Sequence, residues 1–137
     1  MSNDAVDRAR SLIGTRFRAQ GRDPRFGVDC LGLVMLAYGV GDDDVRRDYR
    51  LSGDHRHELM AGLAIGFRRV ARRDARACDL MLVEVSASQL HLVVRTETGF
   101  VHADARRGVV ETPGAPEWPV IATYRKRLRA MNKRGRG

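Results

Sequence analysis

Gly27-Val28-Asp29-Cys30-Leu31-Gly32-Leu33-Val34-Met35-Leu36-Ala37-Tyr38 sets the architecture of this 137-residue chain. From Leu31 to Tyr38 every residue is apolar or small, so a helix here has no polar face and must be buried on all sides. Asp29 stands where an N-cap belongs, and Gly39 and Gly41 mark the end. Cys30 therefore falls in the first helical turn, where the positive end of the helix dipole favours thiolate, the nucleophilic form of the side chain. Gly27 and Gly32 remove bulk on either side of it and let a substrate and a neighbouring sheet come close. A cysteine in an apolar helix is also a common small core residue. Its place at the start of the helix is what points beyond packing.

Upstream, residues 2–13 read as a first helix, capped by Asn3 or Asp4, with Val6, Ala9 and Ile13 on one face and Gly14 as its stop. Residues 15–28 are loop-like. Downstream, Asp42-Asp43-Asp44 marks a surface connection, and residues 57–65 form a weaker third helix ended by Gly66. The period then changes to that of strands: 79–85, 89–95, 100–103, 108–111 and 120–125. The turns Ser86-Ala87-Ser88 and Thr96-Glu97-Thr98-Gly99, and Pro113, Pro116 and Pro119, separate them. Helices first and short-turned strands afterwards predict an α+β fold, with an antiparallel sheet packed on the buried helix that carries Cys30. Residues 1–128 make one domain, and 129–137 a basic, flexible tail.

At 43% apolar and 31% charged, the composition is that of a globular domain rather than a disordered chain. No apolar run approaches the roughly 20 residues of a membrane span. The start, Met1-Ser2-Asn3-Asp4-Ala5-Val6-Asp7, lacks the basic and hydrophobic regions of a signal peptide, which predicts a cytoplasmic protein as synthesised. Cys30 and Cys78 make no framework and read as reduced thiols, too few for a structural zinc. The net charge of +8 is carried by arginine and crowds the C-terminal end, from Arg125-Lys126-Arg127 to Arg136. Such an end attracts polyanions. Without aromatic residues interleaved among the cations, nucleic acid is a poor fit. His55 and His57 lack further ligands at fitting spacing, and Gly62 and Gly66 lack a strand–turn–helix context, so neither a metal nor a phosphate cofactor is expected.

Two other residues carry chemistry. His91 lies in Gln89-Leu90-His91-Leu92-Val93-Val94, where alternation puts Leu90, Leu92 and Val94 on one face and His91 with Val93 on the other. An imidazole among aliphatics needs a partner for each ring nitrogen, so it is either a hydrogen-bonded core residue or a general base beside a thiol. His102 follows a hairpin-like turn, which brings its strand beside that of His91. It could hold His91 in one tautomer, with Asp104 as the reserve for that role. A helix-start cysteine, a strand histidine and a polar residue on the neighbouring strand together make a candidate thiol hydrolase.

Leu12-Ile13-Gly14-Thr15-Arg16-Phe17-Arg18, Gly27 to Val34, Asp79-Leu80, His91-Leu92-Val93-Val94 and Gly99-Phe100-Val101-His102-Ala103 occur in that order. In this the chain resembles the NlpC/P60 family of papain-like cysteine peptidases, from about residue 5 to residue 128. With Leu31 after the cysteine, it is similar to the phage-tail and gene-transfer-agent branch and to single-domain bacterial relatives. The resemblance implies a papain-like fold with Cys30 as nucleophile, His91 as base and His102 as the residue that orients it. It implies as substrate the peptidoglycan fragments or muropeptides that such enzymes cut, typically between D-γ-glutamyl and the diamino acid, without a cofactor. It places Asp29, Phe17 and Leu31 at the substrate, Asp29 matching a position that meets a free amine in some members. The chain departs from the family at Phe17, where Tyr is common, at Leu31, where Ser is common, and at Cys78, where Gly leads the strand. Two other readings stay open: a non-catalytic phage-tail or tail-like component that keeps the fold for assembly or wall contact, and a basic nucleic-acid-binding protein. A hydrolase without an export signal would reach the wall by a tail-like particle or by lysis, or process fragments in the cytoplasm.

Overall fold

A computed structural model describes residues 4–41, 56–87 and 89–128. The expected acidic connection at 42–44, His55, Ser88 of the first hairpin turn and the basic tail 129–137 lie outside the described residues.

Among the described residues three α-helices, α1 (Asp4–Ser11), α2 (Cys30–Tyr38) and α3 (Arg56–Leu63), precede or flank the strands. β1 (Arg22–Asp23) and β2 (Gly27–Val28) form a short hairpin just before α2. The main sheet comprises β3 (Phe67–Val70), β4 (Leu80–Ser86), β5 (Gln89–Arg95), β6 (Gly99–Asp104), β7 (Gly108–Pro113) and β8 (Val120–Lys126), in the order β3-β8-β4-β5-β6-β7. Every pairing in it is antiparallel. The architecture is thus α+β, as the sequence predicts.

The helix α2 is buried nearly all round, as its composition demands, with Leu33, Val34 and Ala37 wholly inaccessible. Asp29 caps it, Oδ1 accepting from the Gly32 N–H at 2.9 Å. Gly39 ends it at φ +65° and donates to the Met35 carbonyl, the left-handed exit that glycine makes cheaply. Gly32 is required for another reason: a Cβ there would stand 2.1 Å from the Gly21 carbonyl oxygen. The small residue after Cys30 therefore admits the loop ahead of the β1–β2 hairpin, not a substrate.

One face of the sheet packs Leu80, Leu82, Leu90, Leu92, Val94 and Tyr124 against α2, α1 and α3. The other collects Met81, Val83, Val93 and Phe100 beneath Trp118 and Val120. One expectation needs correction, and one strand lies outside the expected set. The first helix stops at Ser11, and Ile13 is 46% exposed, because the chain turns through Leu12 and Gly14 to bond the Val109 carbonyl; Leu12 meets the core in its place. Strand β3 was hidden in the sequence because two of its four residues, Arg68 and Arg69, are exposed, giving an in-out-out-in pattern with no alternation. It is an edge strand, and edge arginines are a normal guard against further pairing.

Candidate active site

Strands β5 and β6 pair only at Val94–Val101 and Arg95–Phe100. Toward His91 and His102 the ladder stops, and β4 carries register shifts against both of its neighbours there. At this rim the sheet opens into a cavity of about 750 Å³. Leu90 and His91, and likewise His102 and Ala103, line it together, although consecutive strand residues face opposite ways. The cavity thus wraps the end of the sheet, where the start of α2 also arrives.

Cys30, His91 and His102 all line this cavity. The two imidazoles are joined directly, His91 Nε2 to His102 Nδ1 at 2.9 Å. That bond leaves Nδ1 of His91 as its second functional nitrogen. For Nδ1 to accept a proton, the neutral ring must carry hydrogen on Nε2 and donate it to His102 Nδ1, which puts the His102 proton on Nε2. Asp104, the reserve orienting group, also lines the cavity but is engaged elsewhere. Its Oδ1 accepts from the backbone N–H groups of Arg106 and Arg107 at 2.8 and 2.9 Å, and these bonds hold its carboxyl below the usual range.

The electrostatics differ from the expected helix-start thiolate. Burial pushes the Cys30 thiol up to about 12, and the adjoining Asp29 carboxylate adds to the rise. Backbone N–H groups of Leu92 and Leu31 and the Arg22 guanidinium act the other way without overcoming it. Burial likewise pushes His91 down to about 4, assisted by His102 and opposed by Asp104. His102 is lowered chiefly by burial too. At neutral pH the site therefore holds a thiol and neutral imidazoles, not a preformed ion pair. In so dry a place desolvation outweighs the dipole of a nine-residue helix.

Asp29 behaves as a cap with charge compensation. Besides Gly32, it accepts from Gln20 N–H at 2.8 Å and from Arg22 Nη1 at 2.8 Å, and the side chains of Arg22 and Asp29 are only 17% and 13% exposed. A substrate amine would meet a carboxylate already neutralised by arginine. Phe17 and Leu31 also line the cavity, Phe17 being tied to Val28 by a parallel bridge. Cys78, by contrast, lies away from this cavity, in a second one near Tyr38 and Arg125. It takes the glycine-like turn that the family pattern suggests, with φ +78°. His57 sits exposed on α3, and among the described residues no cluster of three or more potential metal ligands occurs.

Sequence reasoning missed Arg22 and Trp118. Arg22 was one arginine among many in a loop. Trp118 had a signal, being the chain's single tryptophan and bracketed by Pro116 and Pro119.

The sequence matches no family model and no curated protein. Solved structures do match. The NlpC/p60 domain of the peptidoglycan hydrolase SagA superposes with a TM-score of 0.60 at 20% identity, covering 82% of this chain and 90% of that domain. An NlpC/P60 family protein from Bacillus cereus gives 0.64 at 20% identity, over 91% of this chain but 40% of the other. The peptidoglycan hydrolase RipB from Mycobacterium tuberculosis gives 0.59 at 20% identity, over 89% and 62%. The last two are thus longer proteins, of which this chain spans about half. No helix among the described residues is long and apolar enough to cross a membrane. These superpositions give this chain the fold of the NlpC/P60 domains.

Proposed function

We propose that the protein is a cysteine hydrolase of the NlpC/P60 type that cuts amide bonds in peptidoglycan stem peptides, between D-γ-glutamyl and the diamino acid. The observation that carries this reading is the meeting of the Cys30 thiol with the hydrogen-bonded His91–His102 pair in one cavity. The shared fold with domains of peptidoglycan hydrolases supports the choice of substrate.

The reaction is acyl transfer. As Cys30 Sγ attacks the carbonyl carbon, its proton passes to Nδ1 of His91, and His102 accepts the hydrogen bond that steadies the resulting imidazolium. Proton transfer accompanies attack, because neither charged form is stable beforehand. The tetrahedral oxygen needs a donor at the helix start. Gly32 N–H is engaged by Asp29, and the N–H of Cys30, the first residue of α2, is the donor for that oxygen. Collapse breaks the C–N bond, and the amine departs with the proton from His91. Water, deprotonated by His91, then hydrolyses the thioester and regenerates the thiol.

The test is mass spectrometry of muropeptides incubated with the wild-type protein and with Cys30→Ala. The expected result is new fragments ending at D-γ-glutamyl with the wild type and none with the variant. One observation favours a second reading, a non-catalytic assembly component of a tail-like particle: the buried, protonated Cys30 suits a core residue equally well. Intact muropeptides in both reactions would put that reading ahead.

A further inference from the structure

The imidazole pair has a third ring beside it that the reaction above does not use. Trp118 lies in the segment between β7 and β8, with Pro116 and Pro119 on either side fixing the backbone. The Pro119 carbonyl accepts the Glu84 N–H at 3.0 Å, pinning this segment to β4 where that strand is irregular. The indole packs in a T-shaped arrangement with both histidines. Its centroid is 5.8 Å from His91 with planes at 90°, and 5.7 Å from His102 with planes at 71°. Phe100 closes the other side, 5.2 Å from His102 and 6.2 Å from Trp118. Trp118 also lines the cavity that holds Cys30.

We propose that Trp118 is a positioning residue, whose indole shields the His91–His102 hydrogen bond from water and fixes the two ring planes. Ring edges meeting a π face at these separations are favourable and directional, so the indole resists rotation of either imidazole. Its bulk over the 2.9 Å bond keeps water from competing for the shared proton. A dry pair stays neutral, as the depressed His91 and His102 require. The groups facing His91 are His102 and Asp104 from β6, Cys30 and the Arg22–Asp29 pair near the start of α2, and Trp118 itself. Of the charges, Asp104 favours protonation of His91 and is outweighed by burial. Removing the indole should therefore move His91 upward.

The kinetic consequence rests on the hydrolase reading, whereas the effect on the imidazoles does not, so the test has two arms. In the first, NMR of the wild-type protein should show a downfield imidazole N–H proton that exchanges slowly with water. In Trp118→Ala the His91 titration midpoint should rise by about one unit or more toward its ordinary value, while Trp118→Phe keeps it within about half a unit of wild type. In the second, kcat/KM for muropeptide cleavage should fall roughly tenfold or more in Trp118→Ala through kcat, its acid limb moving up with His91, and recover in Trp118→Phe. A fast-exchanging N–H in the wild type, an unmoved midpoint in a folded Trp118→Ala, or a Phe variant that shifts as far as Ala would overturn the proposal. The first, and a Trp118→Phe midpoint raised by about one unit or more from wild type, overturn it even where the alanine variant fails to fold. Imidazole shifts as expected, with no fragment cleaved by the wild type, would sustain this proposal and sink the hydrolase reading.

Discussion

At the scale of single residues, the site is governed by desolvation. Cys30 is 3% exposed and stands beside a carboxylate, and these two facts raise its pKa more than a helix N-terminus lowers it. Iodoacetamide should accordingly label Cys78 before Cys30 at pH 7, with the Cys30 rate still climbing above about pH 8.5, where an unperturbed thiol levels off. Peptide mapping of the labelled protein reads this directly, and a Cys30 that alkylates fully below neutral pH would refute it. Cys78 carries a different cost. An L-residue at φ +78° suffers a clash that glycine does not, while its carbonyl still holds the Tyr38 hydroxyl at 2.9 Å. Cys78→Gly should raise stability by about 1 kcal/mol, seen as a higher midpoint in urea with unchanged slope.

At the scale of elements, the approach of α2 to the loop before it is set by missing side chains. With the Gly21 oxygen 2.1 Å from where a Cβ would be, Gly32→Ala must push a backbone segment aside. The expected loss is roughly 2–4 kcal/mol, measured by thermal or urea unfolding, whereas helix propensity alone would make the same change favourable. What the sequence discloses follows a similar logic. Strand β5 was legible to the residue because turn residues bracket an aliphatic run, Leu90 to Val94, that only His91 interrupts. The buried helix was legible because no polar residue interrupts it. β3 was not, since an edge strand of four residues with two outward arginines has no periodic signature. The Cys30, His91 and His102 triple was visible from residue type and local setting. Arg22 and Trp118 were not, because each reaches the site through contacts that the chain makes across long or irregular loops. The thiol's acidity is illegible for the same reason: the dipole is local, whereas the burial that outweighs it is tertiary.

At the scale of the whole molecule, the sheet is a continuous antiparallel layer that ends in the cavity at one rim and is tied elsewhere by side-chain bonds. Asp79, at the head of β4, takes two bonds from the Arg125 guanidinium of β8, at 2.7 and 2.8 Å. Arg10 of α1 reaches Glu111 of β7 at 2.9 Å, joining the helical layer to the far edge. The dry imidazoles make this assembly sensitive to acid. His91 binds a proton below about pH 4 when folded but near 6.5 when unfolded, so between those values the unfolded chain holds more protons. The contribution of neutral His91 is fully present above pH 6.5 and is lost as pH falls toward 4. Melting temperature should therefore decline over that window, and decline less steeply in His91→Gln.

The account's central claim is that the Cys30 sulfur forms the bond to substrate. The most direct measurement is the intact mass of the protein quenched in acid during turnover of muropeptides, followed by peptide mapping. The account predicts an added mass equal to the acyl fragment, located on the peptide that contains Cys30 and absent from Cys30→Ala. An adduct on Cys78, or cleavage that continues in Cys30→Ala without any adduct, would contradict it.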